Sequence, residues 1–210
     1  MLDAKDECAV SGTTAFDDGV AGDSTTSLLH GRRILLHVTG SISCYKACEL
    51  TSLLVKSGAE VQVTMSAGAL HFLQPAVFEG LSHREALTPD MFARKPDCIP
   101  HITLVQAWAD VLIVYPASAN CITRLAAGLC DDLFGAAFLA NNFAKPVLLA
   151  PAMNSNMFAH PAVQRALAVL EQWGTQVLPT DEGRLACGSI GSGKLIQPNV
   201  VLAFIEKTFA

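Results

Sequence analysis

Val147-Leu148-Leu149-Ala150, followed by Pro151-Ala152-Met153-Asn154-Ser155-Asn156-Met157-Phe158, is the stretch whose reading decides the fold. An apolar run closed by a proline reads as a strand buried on both faces, the kind found in parallel sheets. Pro151 ends it and leaves Asn154 at the carboxyl edge, where open α/β sheets collect their ligands. An amide there can donate and accept. Its NH2 suits a bound carboxylate without adding a charge that would stabilise a product anion equally well. Asparagine is also a good helix cap, and the octapeptide alone leaves both readings open.

Working outward, several segments share this character. Ile34-Leu35-Leu36-His37-Val38 runs into Thr39-Gly40-Ser41-Ile42-Ser43, then a helical pattern through Lys46, Leu50 and Leu54 that stops at Gly58. Backbone N–H groups at such a helix start, with the hydroxyls of Ser41 and Ser43, can hold a phosphate. A plain tight turn is the alternative, because neither a GxGxxG nor a Walker lysine-serine pair is present. A second strand, Glu60 to Met65, breaks into Ser66-Ala67-Gly68-Ala69. A third, Val111 to Tyr115, ends in Pro116-Ala117-Ser118-Ala119-Asn120-Cys121, with a helix expected from Ile122 to Ala127 and a further helical pattern from Gly128-Leu129-Cys130-Asp131-Asp132-Leu133. Such loops on neighbouring parallel strands face one crevice, as doubly wound sheets require. None of the three brings a fixed charge. That suits a neutral polycyclic cofactor with a phosphate tail better than a metal or a nucleoside triphosphate.

Residues 75 to 100 carry four of the ten prolines and read as an irregular excursion, the kind of loop that serves as a lid or subunit contact. His101 follows Pro100 and opens an amphipathic turn, Ile102-Thr103-Leu104-Val105-Gln106-Ala107-Trp108-Ala109-Asp110. It reads either as a titratable group at a site mouth or as a solvated cap. After the strand Gln176-Val177-Leu178, residues 179 to 194 read as a glycine-rich loop in which Gly188, Gly191 and Gly193 give the hinge freedom of a lid.

Composition bounds the classes. With 210 residues, 51% of them hydrophobic and 16% charged, the chain can bury one sizeable α/β core, expected over residues 31 to 210. Residues 1 to 30, with Asp17-Asp18-Gly19 and Gly22-Asp23-Ser24-Thr25-Thr26, are expected to form a flexible tail. A net charge of -5 without a basic stripe excludes nucleic acid and an anionic membrane surface as expected partners. Seven cysteines without CxxC spacing argue against a disulfide framework and a zinc site, so no metal is expected. No apolar run reaches membrane-spanning length and no signal pattern opens the chain, so the expected location is cytoplasmic.

Six motifs occur in one order: Gly40-Ser41-Ile42-Ser43 with Lys46; His101-Ile102-Thr103-Leu104 before Trp108-Ala109-Asp110; Pro116-Ala117-Ser118-Ala119-Asn120; Gly128 to Leu133; Pro151-Ala152-Met153-Asn154 with Met157; and Leu185-Ala186-Cys187-Gly188 through Gly191 and Gly193. Over roughly residues 32 to 206 the chain resembles the flavin-dependent cysteine decarboxylases. That family includes phosphopantothenoylcysteine decarboxylase and the peptidyl-cysteine decarboxylases of lantibiotic and thioamide-peptide maturation. The resemblance implies a flavodoxin-like, three-layer α/β fold with a doubly wound parallel sheet, and FMN, with FAD as the alternative, at a contact between subunits of a homotrimer or homododecamer. It implies a flavin site at Gly40, Ser41, Ser43, Ser66, Ser118, Ala119 and Asn120. By matching motif, His101 is the active-site histidine, Asn154 the amide for the substrate carboxylate, Met157 the methionine packed on it, and Cys187 the thiol of a clamp over substrate.

The chemistry implied is consistent with these residues. A cysteine carboxylate has no electron sink for the departing CO2. Oxidation at its Cβ, with the thiol proton taken by a base near His101, gives a thioaldehyde that is one, and decarboxylation then leaves an enethiol. Asn154 would hold the carboxylate in the reactive orientation. Substrate choice is read two ways. Cys187 points to the coenzyme A branch, where it allows reduction to a saturated thiol. Gln106 and Ala107, where that branch carries basic residues, and Ser189 after the clamp Cys-Gly point to the C-terminal cysteine of a precursor peptide, as does an end at Ala210 without the synthetase domain that many bacterial coenzyme A enzymes append. The peptide substrate is the leading expectation, phosphopantothenoylcysteine the alternative, and a non-catalytic flavin-binding regulator the reading from another class.

Overall fold

The computed structural model of the chain describes residues 27–89, 91, 99–184, 188 and 190–210. The expected tail up to residue 26, Cys187 with Leu185 and Ala186, and Ser189 lie outside the described residues, as does most of the excursion between residues 90 and 98.

Five strands form one parallel sheet: β1 (Arg33–Val38), β2 (Glu60–Met65), β3 (Val111–Ala117), β4 (Val147–Pro151) and β5 (Gln176–Val177), in the order β2-β1-β3-β4-β5. The chain therefore winds outward from β1 in one direction and from β3 in the other. This is the flavodoxin-like order, with its topological switch between β1 and β3. The apolar runs read as buried strands are buried along their length: β3 and β4 expose no residue.

Alternation along each strand sends successive side chains to opposite faces. Ile34, Leu36 and Val38 of β1 join Val61, Val63, Ile113, Tyr115 and Leu148 in one core, covered by α1 (Tyr45–Lys56), α2 (Pro75–Ser82) and α8 (Pro198–Lys207). Leu35, Leu112, Val114 and Leu149 enter the other, covered by α4 (Ala119–Ala126), α5 (Leu133–Asn141) and α7 (Pro161–Gln172). The result is the three-layer architecture expected. The described residues also include two short helices, α3 (Pro100–Ile102), which runs into a π-helical turn Thr103–Trp108, and α6 (Ser155–Ala159), and 3-10 turns at Ile42–Cys44 and Ala69–His71.

Two expectations are corrected. Residues 75 to 100 are not irregular throughout, because Pro75–Ser82 is α2. Its proline stands in the first turn, where a missing N–H costs no hydrogen bond. Residues 179 to 194 are not a plain loop either: β6 (Asp181–Arg184) and β7 (Ile190–Lys194) pair antiparallel, with Asp181 opposite Lys194 and Gly183 opposite Gly191. Their composition has little strand propensity. Docking on the Asn154 loop organises them instead. The Met153 N–H donates to the Gly193 carbonyl at 3.0 Å and the Ser155 hydroxyl to the Ser192 carbonyl at 2.8 Å. A Cβ on Gly193, whose φ is +99°, would lie 2.6 Å from the Met153 carbonyl oxygen, so this approach requires glycine.

Candidate functional site

Two adjoining cavities open at the carboxyl ends of the strands and share Gly40, Ser118, Ala119 and Met157. The first, of about 490 Å³, lies over the β1/β3 switch and is lined by His37, Thr39, Ser66, Ala67, Gly68, Asn120, Cys121, Arg124 and Asp132, among others. The second, of about 610 Å³, extends from it towards the β6–β7 hairpin and adds Ser41, Ser43, Lys46, Phe72, Met153, Asn154 and Lys194.

Two serines hold the loops of the first cavity: Ser118 accepts from the Cys121 N–H at 3.3 Å and opens α4, and Ser66 accepts from the Ala69 N–H at 3.2 Å. Ser41, in the second cavity, accepts from the Ser43 N–H at 3.3 Å. A hydroxyl that accepts in a cap keeps its O–H donor, so each capping serine can also donate to an anion. Thr39 ties the two switch-point loops together, donating to the Pro116 carbonyl at 2.7 Å and accepting from the Ser118 N–H at 2.9 Å. Gly40 and Gly68 meet so closely that a Cβ on Gly40 would stand 2.8 Å from the Gly68 backbone. That contact brings the first and second loops side by side on one wall.

The remaining wall is mostly uncharged for physical reasons. Burial holds the His37 imidazole down at about 4, against the raising effect of Asp132, so the ring is neutral. It lies flat on Phe134, centroids 4.2 Å apart, and its Nδ1 contacts Thr64 Oγ1 at 2.9 Å. Burial pushes the Cys121 thiol up to about 12, so it too stays neutral. The loops bring no fixed charge, as expected, yet the cavity is not free of it. Arg124 pairs with Asp131 and with Asp132 at 3.2 Å, and Asp132 also caps α5 by accepting from the Gly135 N–H at 2.7 Å. One guanidinium meets two carboxylates, so the cluster as a whole stays formally negative. His37, Thr39, Gly68 and Arg124 were not read from the sequence. A His within an apolar strand gave a signal for the first only.

At Asn154 the structure shows the helix cap and places the residue in a cavity wall. Its side-chain oxygen caps α6, accepting from the Asn156 N–H at 2.9 Å, and the residue lines the second cavity beside Met153 and Met157. The cap uses Oδ1, and the other polar group of the amide is its NH2. Of the site residues read from sequence, the structure brings together Gly40, Ser41, Ser43, Ser66, Ser118, Ala119, Asn120, Asn154 and Met157 around the two cavities. His101, half-buried in α3, lines neither. Gln106 and Ala107 are exposed on the π-helical turn and likewise line neither, with Arg33 donating to the Ala107 carbonyl at 3.3 Å. π-Turns are rare and are frequent at functional sites. Among the described residues no group of three His, Cys, Asp or Glu stands ready for a metal ion, and no helix is long and apolar enough to cross a membrane.

A flavodoxin-like sheet with hydroxyl caps and a close glycine contact at its switch point defines a protein that binds a phosphorylated, planar cofactor. The family model described as Flavoprotein matches residues 23–210, and the chain belongs to that family. It is 44% identical over 183 residues to the Coenzyme A biosynthesis bifunctional protein CoaBC of Bacillus subtilis (strain 168), covering 87% of this chain and 44% of that protein. The chain thus spans less than half the length of that relative. It is 36% identical to a probable phosphopantothenoylcysteine decarboxylase of Streptococcus mutans serotype c over 84% of this chain and 98% of that one. Among solved structures, a PPC decarboxylase mutant complexed with pantothenoylaminoethenethiol superimposes with a TM-score of 0.75 at 31% identity, covering 85% of this chain and 98% of that one. The FMN binding protein AtHal3 gives 0.74 at 31%, covering 85% and 96%. The peptidyl-cysteine decarboxylase EpiD gives 0.68 at 22%, covering 83% and 98%, a likeness of fold alone.

Proposed function

We propose that this chain is an FMN-dependent enzyme that decarboxylates the cysteine carboxyl group of phosphopantothenoylcysteine. The observation that carries the reading is Asn154, an uncharged amide standing in a cavity contiguous with the hydroxyl-capped cavity of the switch point. Relatives named for phosphopantothenoylcysteine decarboxylation or coenzyme A synthesis, at 36% and 44% identity, support that substrate over a C-terminal peptidyl cysteine. The weight therefore moves from the peptide, favoured on Gln106, Ala107 and Ser189, to the alternative.

The residues present fit FMN. Ser66, Ser118 and Asn120 offer donors for its phosphate and polar edge, the Gly40–Gly68 contact holds two of the loops side by side, and the neutral His37–Phe134 stack gives an aromatic floor. When bound, FMN supplies two-electron oxidation at the substrate carbon next to sulfur. Asn154 holds the carboxylate without a positive charge, so the anion is oriented but not stabilised against leaving as CO2. Met157, lining both cavities, packs between cofactor and substrate space.

His101 acts from a neighbouring copy in a homo-oligomer, taking up the thiol proton. Two observations support this: His101 lines neither cavity of its own chain, and the cavity linings expose Ile42, Tyr45, Phe72, Leu129 and Met157, apolar side chains that a second copy would cover. Purified protein is incubated with phosphopantothenoylcysteine and with a peptide ending in cysteine, and mass is followed. A loss of about 44 mass units from the former marks a saturated thiol and about 46 an enethiol, since the redox state of the cofactor decides which leaves. Turnover of the peptide alone, or of neither, would refute the proposal. Mixed assemblies of His101→Asn and Asn154→Asp chains should regain activity that neither variant has alone, and failure to do so would place both residues in one chain's site.

A further inference from the structure

The phosphopantothenoylcysteine reading leaves one end of the substrate without an assigned site. We infer that Lys46 and Lys194 form an anion subsite of the Asn154 cavity that takes the substrate's phosphate, an inference that rests on that reading.

The two lysines line the second cavity from unrelated elements, Lys46 from the first turn of α1 and Lys194 from the end of β7. Each has a built position. Lys46 Nζ donates to Gln197 Oε1 at 3.1 Å, and Gln197 Nε2 donates in turn to Asp181 Oδ2 at 3.1 Å. Lys194 Nζ lies over the Gly183 backbone of the facing strand, 3.2 Å from where a Cβ would stand. Burial, and then the charge of Lys194, hold the Lys46 ammonium below its ordinary range, while Asp181 and Glu49 act the other way. Two cations that repel one another across a cavity wall gain from an anion between them. The hydroxyls of Ser41 and Ser43 line the same wall and add donors suited to phosphate oxygens.

The substrate has two anionic ends, and chemistry distributes them. A lysine on the reacting carboxylate would stabilise the ground state and hold back CO2. The neutral Asn154 suits that end and the lysines suit the end that does not react. Exposed Tyr45 and Phe72 provide apolar wall for the uncharged chain between.

The test measures kcat/KM of the FMN-loaded protein for phosphopantothenoylcysteine and for pantothenoylcysteine, in wild type, Lys194→Met, Lys46→Met and Lys194→Arg. Wild type should prefer the phosphorylated substrate by about tenfold or more, the scale of a charge-assisted hydrogen bond. Either methionine variant should cut that preference ratio by about tenfold, and Lys194→Arg should largely keep it. Inorganic phosphate should compete with substrate in wild type and lose potency against Lys194→Met, a readout available should Lys46→Met fold poorly. An unchanged ratio overturns the subsite, as does a loss equal on both substrates. Loss of bound FMN in the variants overturns it too, by assigning the lysines to the cofactor's phosphate. Wild type that acts on neither substrate refutes the decarboxylation reading itself, a result distinct from an unchanged ratio.

Discussion

The two adjoining cavities share a wall but are made differently. The first stands on the sheet: its hydroxyls are those of Ser66 and Ser118 in the turns that follow β2 and β3, its floor is a buried neutral imidazole on a phenyl ring, and its charged groups pair with one another. The second hangs between the sheet and a two-stranded hairpin, and it carries an amide and two lysines. A cavity fixed by strand ends and caps suits a resident cofactor that must not move. One closed by a hairpin tied through few hydrogen bonds suits a substrate that enters and leaves.

The largest effect that tests this division is expected at Asn154. Asn154→Asp places a carboxylate against the substrate's own and should reduce turnover by about a thousandfold or more, the scale of losing one oriented donor plus added repulsion, while FMN content is unchanged. Loss of FMN in that variant would merge the two cavities into one cofactor site. Next is the acid sensitivity of the first cavity. The pKa of His37 is about 4 in the folded protein against an ordinary 6.5, so the unfolded chain binds the extra proton first as pH falls. Stability is full above about 6.5 and declines towards 4, by about 3 kcal/mol for this group. Denaturant midpoints at about pH 7 and about pH 4.5 should show the slope, and His37→Phe should flatten it.

Gly40→Ala acts on the shared wall. With 2.8 Å to the Gly68 backbone there is no flexible side chain to yield, and the cost is about 1–3 kcal/mol with weakened binding of both FMN and substrate. Thermal unfolding with and without added FMN reads both effects, and a neutral outcome would show that the loops can separate. The smallest effect is at Ser66, which lines only the first cavity. Ser66→Ala removes a hydroxyl that accepts from Ala69 and should cost about 1 kcal/mol of stability and several-fold in FMN affinity, with KM for substrate unchanged. A changed KM with normal FMN binding would reverse the assignment of the cavities.

Much of the first cavity was legible because its parts lie next to one another along the chain. Gly40, Ser66 and Ser118–Asn120 each follow an apolar strand by one to three residues, and a parallel sheet sends every such junction to one edge. The hairpin was not legible, since neither Asp181–Arg184 nor Ile190–Lys194 has an alternating apolar pattern. Its strands are aligned by Met153, Ser155 and Thr180, residues outside both. Lys46 could be read as part of a motif, but not as a neighbour of Lys194, 148 positions later in the sequence.

By itself the sequence determined the parallel sheet, the edge at which ligands collect and the residue types waiting there, because burial pattern and turn chemistry are local properties of a chain. Only the tertiary structure decided that the collected residues divide between two cavities. It also decided that Asn154 both caps a helix and lines a cavity, and that His101 lines neither of the two cavities. Those facts depend on which segments approach through space, and hydrogen bonds between distant backbone groups leave no periodic trace in the residues that make them.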